Sequence, residues 1–163
     1  MISVVIIAEH GVEPLAATLR ALVPGVVEGL VGDAVVLAAR PEEVVANLVE
    51  GFGAKLVMAD DLSWASGARV ARREWILCLD AGDVPGEGWM AALDRFVALS
   101  PPDRELGRLQ RTGSWRARLR SFVPTRHIQA GDLVRRDLLL RNAGAPRQAA
   151  RIPAAISRPP GAG

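Results

Sequence analysis

The sequence predicts an α/β domain of the doubly wound class, in which a mainly parallel sheet is sandwiched between helices. Short apolar runs rich in Val and Ile alternate with amphipathic segments, at the spacing of strand–helix–strand units. The apolar runs are continuous, which is typical of strands buried on both faces. Because 163 residues is the size of one ordinary domain, we expect a single domain over residues 1–150.

Four strand–helix units account for the first hundred residues. The predicted strands are residues 2–8, 34–38, 55–59 and 75–79. The predicted helices are residues 14–23, 41–51, 63–73 and 87–99. Proline begins each of the first two helices, and Pro24-Gly25 is expected to end the first one. The fourth strand leads directly into Asp80.

An arginine-rich segment follows, with six arginines in residues 104–120. Within residues 111–126, Trp115, Leu119 and Phe122 are spaced at i, i+4 and i+7. This spacing predicts either a helix at a membrane surface or a solvated helix that packs one face on the domain.

The end of the chain is less regular. Residues 128–140 are predicted to form a short strand that leads into a helix, and this helix is expected to end at residues 142–144. The tail, residues 151–163, is rich in Pro, Gly and Ala, and we expect it to be disordered.

Composition excludes several classes of protein. No apolar run approaches the ~18 residues of a membrane-spanning helix, and the N-terminus lacks the basic lead of a signal peptide. Cys78 is the only cysteine, which excludes a disulfide scaffold. We therefore expect a soluble cytoplasmic protein.

Charge is distributed unevenly along the chain. Residues 1–100 hold 14 acidic and 7 basic residues, whereas residues 101–163 hold 4 acidic and 13 basic residues. A basic last third indicates a partner that carries phosphate, such as a nucleotide, a nucleic acid or an anionic lipid. The alternative is biased coding composition, because all but one of the 20 basic residues are arginine.

The strongest chemical signal is a pair of carboxylates at the end of the fourth strand. The sequence has no phosphate-binding P-loop motif, and its first strand-to-helix turn lacks the dinucleotide fingerprint. Asp80 and Asp83 flank Ala81-Gly82 where ligands bind in sheets of this class. Their oxygens suit Mg²⁺ or Mn²⁺ completed by a substrate diphosphate. Alternatively, Asp83 caps the following helix and Asp80 accepts hydrogen bonds from loop amides.

Several short segments within residues 1–145 occur in an order that is found in one protein family. They are residues 2–7, 19–22, 67–68, 75–83, 84–85, Trp89 and 133–136. The segment 75–83 ends in a pattern similar to Asp-x-Asp. In this order they resemble the family-2 glycosyltransferases of the GT-A fold. The resemblance is to the short bacterial members that act at the inner face of the membrane.

The resemblance implies an inverting glycosyltransferase that uses a nucleotide-diphosphate sugar. Residues 1–100 would form the nucleotide-binding half and residues 101–150 a basic acceptor-side half. In this family a carboxylate deprotonates the acceptor hydroxyl while Mg²⁺ or Mn²⁺ neutralises the departing diphosphate. The implied site residues are Asp80 and Asp83 for the metal, Asp132 as catalytic base, and Glu9, His10, Asp60, Asp61, Arg135 and Arg136 for substrate binding.

The sequence also departs from the family pattern at the donor site. Residues 8–11 replace the usual Pro-Thr-x-Asn-like run, and residues 38–41 replace an Asp-rich segment that holds base and ribose. Gly82 stands at the central carboxylate of the metal motif, and Gln129 stands where an acidic catalytic residue is expected. Set against the family pattern, these departures imply a degenerate donor site.

Two functional hypotheses follow. The first is an active glycosyltransferase with a lipid-linked or cell-envelope acceptor, located in the cytoplasm and peripheral on the inner membrane. The second is a catalytically silent relative that keeps the scaffold as a binding or membrane-associated module. A nucleic-acid binder is disfavoured because the first hundred residues are acidic.

Overall fold

The computed structural model describes residues 1–9, 11–112, 127–141 and 149–158. The strands are β1 Ile2–Ile7, β2 Val31–Ala38, β3 Lys55–Met58, β4 Trp75–Asp80, β5 Val84–Pro85, β6 Leu106–Thr112, β7 Asp132–Arg135 and β8 Ala150–Ser157. The helices are α1 Val12–Val27, α2 Glu43–Gly51, α3 Trp64–Val70, α4 Trp89–Leu99 and α5 Arg136–Leu140.

The eight strands form one mixed, mostly parallel sheet in the order β3-β2-β1-β4-β7-β6-β8-β5. The first four strands in chain order pair in parallel, whereas β7 runs antiparallel to both β4 and β6. The carboxyl ends of β1 to β4 therefore meet at one edge of the sheet, which we call the carboxyl edge. The predicted α/β class is confirmed.

Helices cover both faces of the sheet. Apolar residues of α1, α2 and α4 form one buried cluster, which includes Leu15, Val45 and Leu93. Residues of α3 and α5 pack on the opposite face, in a second cluster that includes Ala68 and Leu138. The alternation of side chains along each strand sends successive residues into these two clusters, which explains the continuous apolar runs.

Helix α1 continues beyond the predicted stop at Pro24-Gly25 and ends at Val27. A Cβ added at Gly25 would lie 2.6 Å from Cη2 of Trp89, so the helix backbone packs directly on the indole. The carbonyl of Pro24 still accepts a hydrogen bond from the amide of Glu28 at 2.9 Å. Tertiary packing thus sustains the last turn although proline removes one hydrogen bond.

The prediction of a disordered tail is wrong for residues 151–157, which belong to β8. Ile152, Ala154 and Ile156 are buried, and β8 lies inside the sheet between β6 and β5. Pro153 lies in the stretch where the register of β6 and β8 shifts. A proline is tolerated at such an irregularity because it has no N–H to donate to the ladder.

The predicted strand followed by a helix over residues 128–140 is confirmed by β7 and α5. The first two residues of the predicted amphipathic helix, 111–112, belong to the end of β6. The rest of that helix, residues 113–126, lies outside the described residues. The predicted helix end at 142–144 and the remaining tail, 159–163, also lie outside them. Within the described ranges, no helix is both long and apolar enough to cross a membrane.

Candidate functional site

Backbone hydrogen bonds fix the turn that follows β4 at the carboxyl edge. The amide of Ala81 donates to the last carbonyl of β1 at 2.9 Å, and the amide of Gly82 donates to Oγ1 of Thr18 at 2.9 Å. Gly82 has a φ of 96°, a conformation that favours glycine. The amide of Asp83 closes the turn by donating to the carbonyl of Asp80 at 3.0 Å. The two carboxylates are therefore held on a rigid turn.

Asp83 is completely buried and accepts several hydrogen bonds. Arg111, which lies on β6, donates from Nη1 to Oδ1 at 3.1 Å and from Nη2 to Oδ2 at 3.0 Å. The amide of Asp80 donates to Oδ2 at 3.0 Å. Asp83 does not cap the next helix, whose N-cap is Gly88, so the helix-cap alternative is wrong.

Arg158 bridges the two carboxylates from the end of β8. Its Nη2 donates to Oδ2 of Asp80 at 3.1 Å and to Oδ1 of Asp83 at 3.2 Å. Its side chain is 33% exposed. Asp80, Asp83, Arg111 and Arg158 together form what we call the aspartate–arginine cluster.

The electrostatics of the cluster are balanced, with two carboxylates facing two guanidinium groups. Burial and the neighbouring charge of Asp83 raise the pKa of Asp80, while the hydrogen bond and charge of Arg158 oppose this shift. The pKa of Asp80 is raised overall, because the first two effects are larger.

As arranged, this cluster does not fit a divalent cation. Arg111 engages both oxygens of Asp83, and Arg158 lies on the oxygens that a shared metal ion would need. Among the residues that the structure describes, no three His, Cys, Asp or Glu side chains are grouped as a metal site would require. The Mg²⁺ or Mn²⁺ at Asp80 and Asp83 stays a prediction from sequence.

Asp132 lies in a second buried ion pair at the start of β7. Arg108 donates from Nε to Oδ1 at 2.6 Å and from Nη2 to Oδ2 at 2.9 Å, and the amide of Gln129 donates to Oδ2 at 3.0 Å. Burial raises the pKa of Asp132, and the hydrogen bond from Arg108 opposes the shift. Its carboxylate has no exposed surface, so an acceptor molecule cannot touch it in this arrangement.

Cys78 lies on β4 beside this ion pair. The amide of Gly131 donates to the carbonyl of Cys78 at 2.7 Å, which ties the segment before β7 to β4. The thiol is buried. Burial first, and then the charges of Asp132 and Asp80, raise its pKa well above the usual thiol value, so we expect the thiol to react slowly in the folded protein.

Three predicted substrate-binding residues lie at the carboxyl edge. Glu9 follows β1, and Asp60 and Asp61 follow β3; all three are exposed. Glu9 follows β1, which is next to β4 in the sheet, whereas Asp60 and Asp61 follow β3, which is three positions away from β4. Neighbouring strands are about 4.8 Å apart, so Glu9 lies closer to the end of β4 than the two aspartates do. His10 lies outside the described residues.

The predicted arginine pair lies at the opposite edge of the sheet. Arg135 is paired in register with Trp75, the first residue of β4, and its guanidinium is 4.8 Å from the Trp75 ring centroid. Arg135 also forms an ion pair with Glu74, and Arg136 donates from Nε to the carbonyl of Ala68 at 2.8 Å. Five residues of strand separate this edge from Asp80, roughly 16 Å at about 3.3 Å per residue. The structure does not bring this pair to the carboxyl edge.

Sequence reasoning missed Arg111 and Arg158, the two cations of the cluster. Arg111 fell in a segment interpreted as a helix, and Arg158 fell in the expected tail. The apolar residues Ile152, Ala154 and Ile156 alternate along this segment and are buried. This alternation is a weak strand signal in the sequence, because Pro153 and a small residue lie between them.

Comparisons with known proteins show the fold. No family model and no curated protein matches the sequence. Glucosyl-3-phosphoglycerate synthase from Mycobacterium tuberculosis, solved with Mn²⁺ and UDP-glucose, is 14% identical at a TM-score of 0.64, over 97% of this chain and 70% of that one. Its complex with Mn²⁺, UDP and phosphoglyceric acid is 16% identical at a TM-score of 0.60, over 85% of this chain and 56% of that one.

A second structural relative is TarS of S. aureus. Its residues 1–349 are 14% identical to this chain at a TM-score of 0.62, over 86% of this chain and 48% of that one. The chain therefore spans about half the length of TarS 1–349 and of the phosphoglyceric acid complex. At these identities the likeness establishes a GT-A-like fold, structurally akin to that of glycosyltransferases.

Proposed function

We propose that the chain binds a nucleotide-diphosphate sugar at the carboxyl edge and acts as an inverting glycosyltransferase. The observation that carries this proposal is the aspartate–arginine cluster, which lies at the end of β4 in a GT-A-like fold. The similar synthase from M. tuberculosis binds UDP-glucose, and TarS binds UDP. The sequence resemblance supports assignment to family 2, among its short bacterial members.

The exposed acidic residues of the carboxyl edge would contact the nucleoside. Glu9 follows β1, beside the cluster, and its carboxylate can accept hydrogen bonds from ribose hydroxyls. Asp60 and Asp61 follow β3, on the far side of β2, and can accept hydrogen bonds from a base. Between these positions lies the edge where parallel α/β sheets bind ligands. We keep His10 as a candidate hydrogen-bond donor to the phosphates of the nucleotide.

Transfer with inversion requires a base for the acceptor proton. The acceptor oxygen attacks the anomeric carbon, the bond from this carbon to the diphosphate oxygen breaks, and the hydroxyl proton goes to the base. Asp132 is the sequence candidate, yet both of its oxygens accept hydrogen bonds from Arg108. Asp132 can take the proton only if Arg108 releases one of these oxygens and the acceptor reaches it.

This burial of Asp132 favours a second candidate function, a nucleotide-binding module without transferase activity. In that case the ion pair with Arg108 holds β7 to β6, and no group of the site accepts the acceptor proton. The two candidates share the donor site and differ only in turnover, so that binding and turnover must be measured separately.

Binding is tested by calorimetric titration of UDP and GDP into the wild type and into Asp80→Asn. Asp80→Asn weakens the anchor of Arg158, so we expect the affinity for the preferred nucleotide to fall about tenfold, the effect of losing one charge-assisted hydrogen bond. Asp94→Asn, an exposed aspartate of α4, is the matched control and should bind like the wild type. Absence of binding by either nucleotide to folded wild type, with and without Mn²⁺, would contradict both candidates.

Turnover is tested by release of UDP from UDP-glucose and of GDP from GDP-mannose, using cell-envelope lipid extract as the acceptor source. Nucleotide release that depends on the extract supports the transferase. Nucleotide binding without any release from either donor supports the silent module.

We propose an anionic membrane surface or a lipid-linked acceptor as the further partner, with a peripheral location on the inner membrane. The excess of basic residues after residue 100 supports this. Vesicles of phosphatidylglycerol should sediment the protein at low salt, whereas vesicles of phosphatidylcholine should not. Equal sedimentation by both would contradict an electrostatic attachment.

A further inference from the structure

We infer that Arg158, supported by Arg111, takes the place of a divalent cation at this site, so that diphosphate binding does not need a metal. The inference rests on the proposed function, because it names the group that meets the diphosphate of the proposed donor. The sequence around Asp80 and Asp83 suggests a metal ion, whereas in the structure both carboxylates are paired with arginine.

The position of Arg158 is that of a cation shared by two carboxylates. A single nitrogen, Nη2, contacts Oδ2 of Asp80 and Oδ1 of Asp83 at nearly equal distances, 3.1 and 3.2 Å. A bound metal ion in a carboxylate pair has the same arrangement, with protein oxygens on one side and substrate phosphates on the other.

The other side of Arg158 is available to a ligand. Among the described residues, its Nε and Nη1 have no hydrogen-bond partner, and its side chain is 33% exposed at the carboxyl edge. Both two-donor edges of a guanidinium include Nη2, so Nε–H and Nη1–H point in different directions. Each can donate one charge-assisted hydrogen bond to a phosphate oxygen.

The charges also support arginine in place of a metal. Asp80 and Asp83 carry two negative charges, and Arg111 and Arg158 carry the two positive charges that one divalent ion would supply. A divalent ion added to the intact cluster would leave an excess of two positive charges beside the two guanidinium groups. Binding of the metal would therefore require that Arg158 leave the carboxylates.

Arg111 keeps Asp83 from turning toward a metal. Its Nη1 and Nη2 engage both oxygens of the carboxylate, and Nη2 also donates to the carbonyl of Ala130 at 3.1 Å. Asp83 is completely buried, and moving it would leave the partly buried Arg111 without its counter-charge, which is costly. Asp83 and Arg111 are thus positioning residues that hold Arg158 in place.

The test is calorimetric titration of inorganic pyrophosphate, UDP and GDP, each in EDTA and in Mn²⁺. The variants are Arg158→Gln, which keeps a polar side chain, and Arg158→Lys, which keeps the charge without the planar set of guanidinium donors. The matched control is Arg151→Gln, because Arg151 is an exposed arginine of β8, the strand that Arg158 follows, and contacts Gln110. Thermal unfolding of each variant verifies that it is folded.

We expect pyrophosphate and the preferred nucleotide to bind in EDTA as tightly as in Mn²⁺. Arg158→Gln should weaken both about tenfold or more, Arg158→Lys should weaken them less, and Arg151→Gln should bind like the wild type. Asp80→Asn should also weaken pyrophosphate, because it loosens the anchor of Arg158.

The outcomes separate this inference from the proposed function. Nucleotide binding that requires Mn²⁺ and survives in Arg158→Gln would overturn the inference and leave the proposed function standing. Pyrophosphate binding in EDTA that depends on Arg158, without binding of either nucleotide, would support the anion site and contradict the nucleotide donor. Failure of all three probes in EDTA would overturn the inference.

Discussion

Replacing Asp132 by Asn tests the buried ion pair that the structure places where a catalytic base was expected. The change keeps the size of the side chain and removes its charge. Arg108 donates two hydrogen bonds to this carboxylate, at 2.6 and 2.9 Å, and the Gln129 amide donates a third at 3.0 Å. Asn keeps one oxygen that can accept a hydrogen bond. Its NH₂ group replaces the other oxygen and faces an N–H donor of Arg108 or of Gln129.

The loss of stability follows from these contacts. A hydrogen bond to a charged group contributes about 1.5–3 kcal/mol, and at least one such bond is lost. The variant also removes the carboxylate that neutralises Arg108, whose side chain is only 17% exposed. Removing one partner of a buried pair costs about 3–5 kcal/mol, and we expect Asp132→Asn to fall in this range. This is a large share of the roughly 5–15 kcal/mol that stabilises an ordinary domain.

The assay is urea unfolding followed by tryptophan fluorescence. With a slope of about 2 kcal/mol per M for a domain of this size, the midpoint of Asp132→Asn should fall by roughly 1.5–2.5 M. The matched control is Glu105→Gln, which removes the carboxylate of the ion pair with Arg141. Arg141 is 58% exposed, so this variant should change stability by less than about 1 kcal/mol.

A double variant separates the pair from the site around it. Replacing Asp132 by Leu and Arg108 by Met removes both charges, and should restore much of the stability that Asp132→Asn loses. If Asp132→Asn and Glu105→Gln shift the midpoint equally, the carboxylate of Asp132 is not buried against Arg108. Asp132 would then again be a candidate for the base of the transfer reaction.

Three further outcomes are expected. Iodoacetamide should modify Cys78 much more slowly in the folded protein than in urea, because burial keeps the thiol protonated; equal rates would contradict this. The pKa of Asp80 is raised in the folded state, so its contribution to stability grows as the pH falls through the window between the unfolded and folded values. Arg158→Gln removes the opposing charge and should raise this pKa further in a carboxyl ¹³C titration, whereas an unchanged or lower value would contradict the ion pair. Gly67→Ala places a Cβ 2.4 Å from a methyl of a buried valine in β1 and should destabilise by about 1–3 kcal/mol in thermal unfolding, whereas Gly51→Ala, with open space around it, should not.

The first half of the fold was predictable because its signals are local. The continuous apolar run of β1 and the alternation of strands and helices up to α4 are visible in short windows of sequence. The end of α1 was predicted wrongly because proline usually stops a helix, and only the packing of Gly25 on Trp89 shows why this helix continues. That contact joins two segments far apart in the chain.

The second half could not be predicted in the same way because its strands depend on distant partners. Strand β5 consists of two residues that pair with the end of β8, and so short a segment has no pattern of its own. Pro153 and the small residues around it conceal the alternation that identifies β8. Local composition indicated disorder there, whereas pairing on both sides makes it an interior strand.

The candidate site shows the same division. Asp80 and Asp83 were located from their position after β4, a local feature. Their partners were not, because Arg111 and Arg158 lie 28 and 75 residues from Asp83 along the chain. Spacing within a motif carries no information about a counter-charge that arrives from another strand, and therefore the sequence favoured a metal where the structure has guanidinium groups.

The position of β8 also determines when the site is completed during protein synthesis. Asp83 leaves the ribosome 75 residues before Arg158, which at about 5–20 residues per second is an interval of roughly 4–15 s. During this interval β8, the strand that pairs with β5, has not yet emerged, and the carboxylates of Asp80 and Asp83 have no bridging guanidinium. Translation that stalls near the end of this window leaves an open sheet edge beside two carboxylates, of which only one charge is balanced, by Arg111.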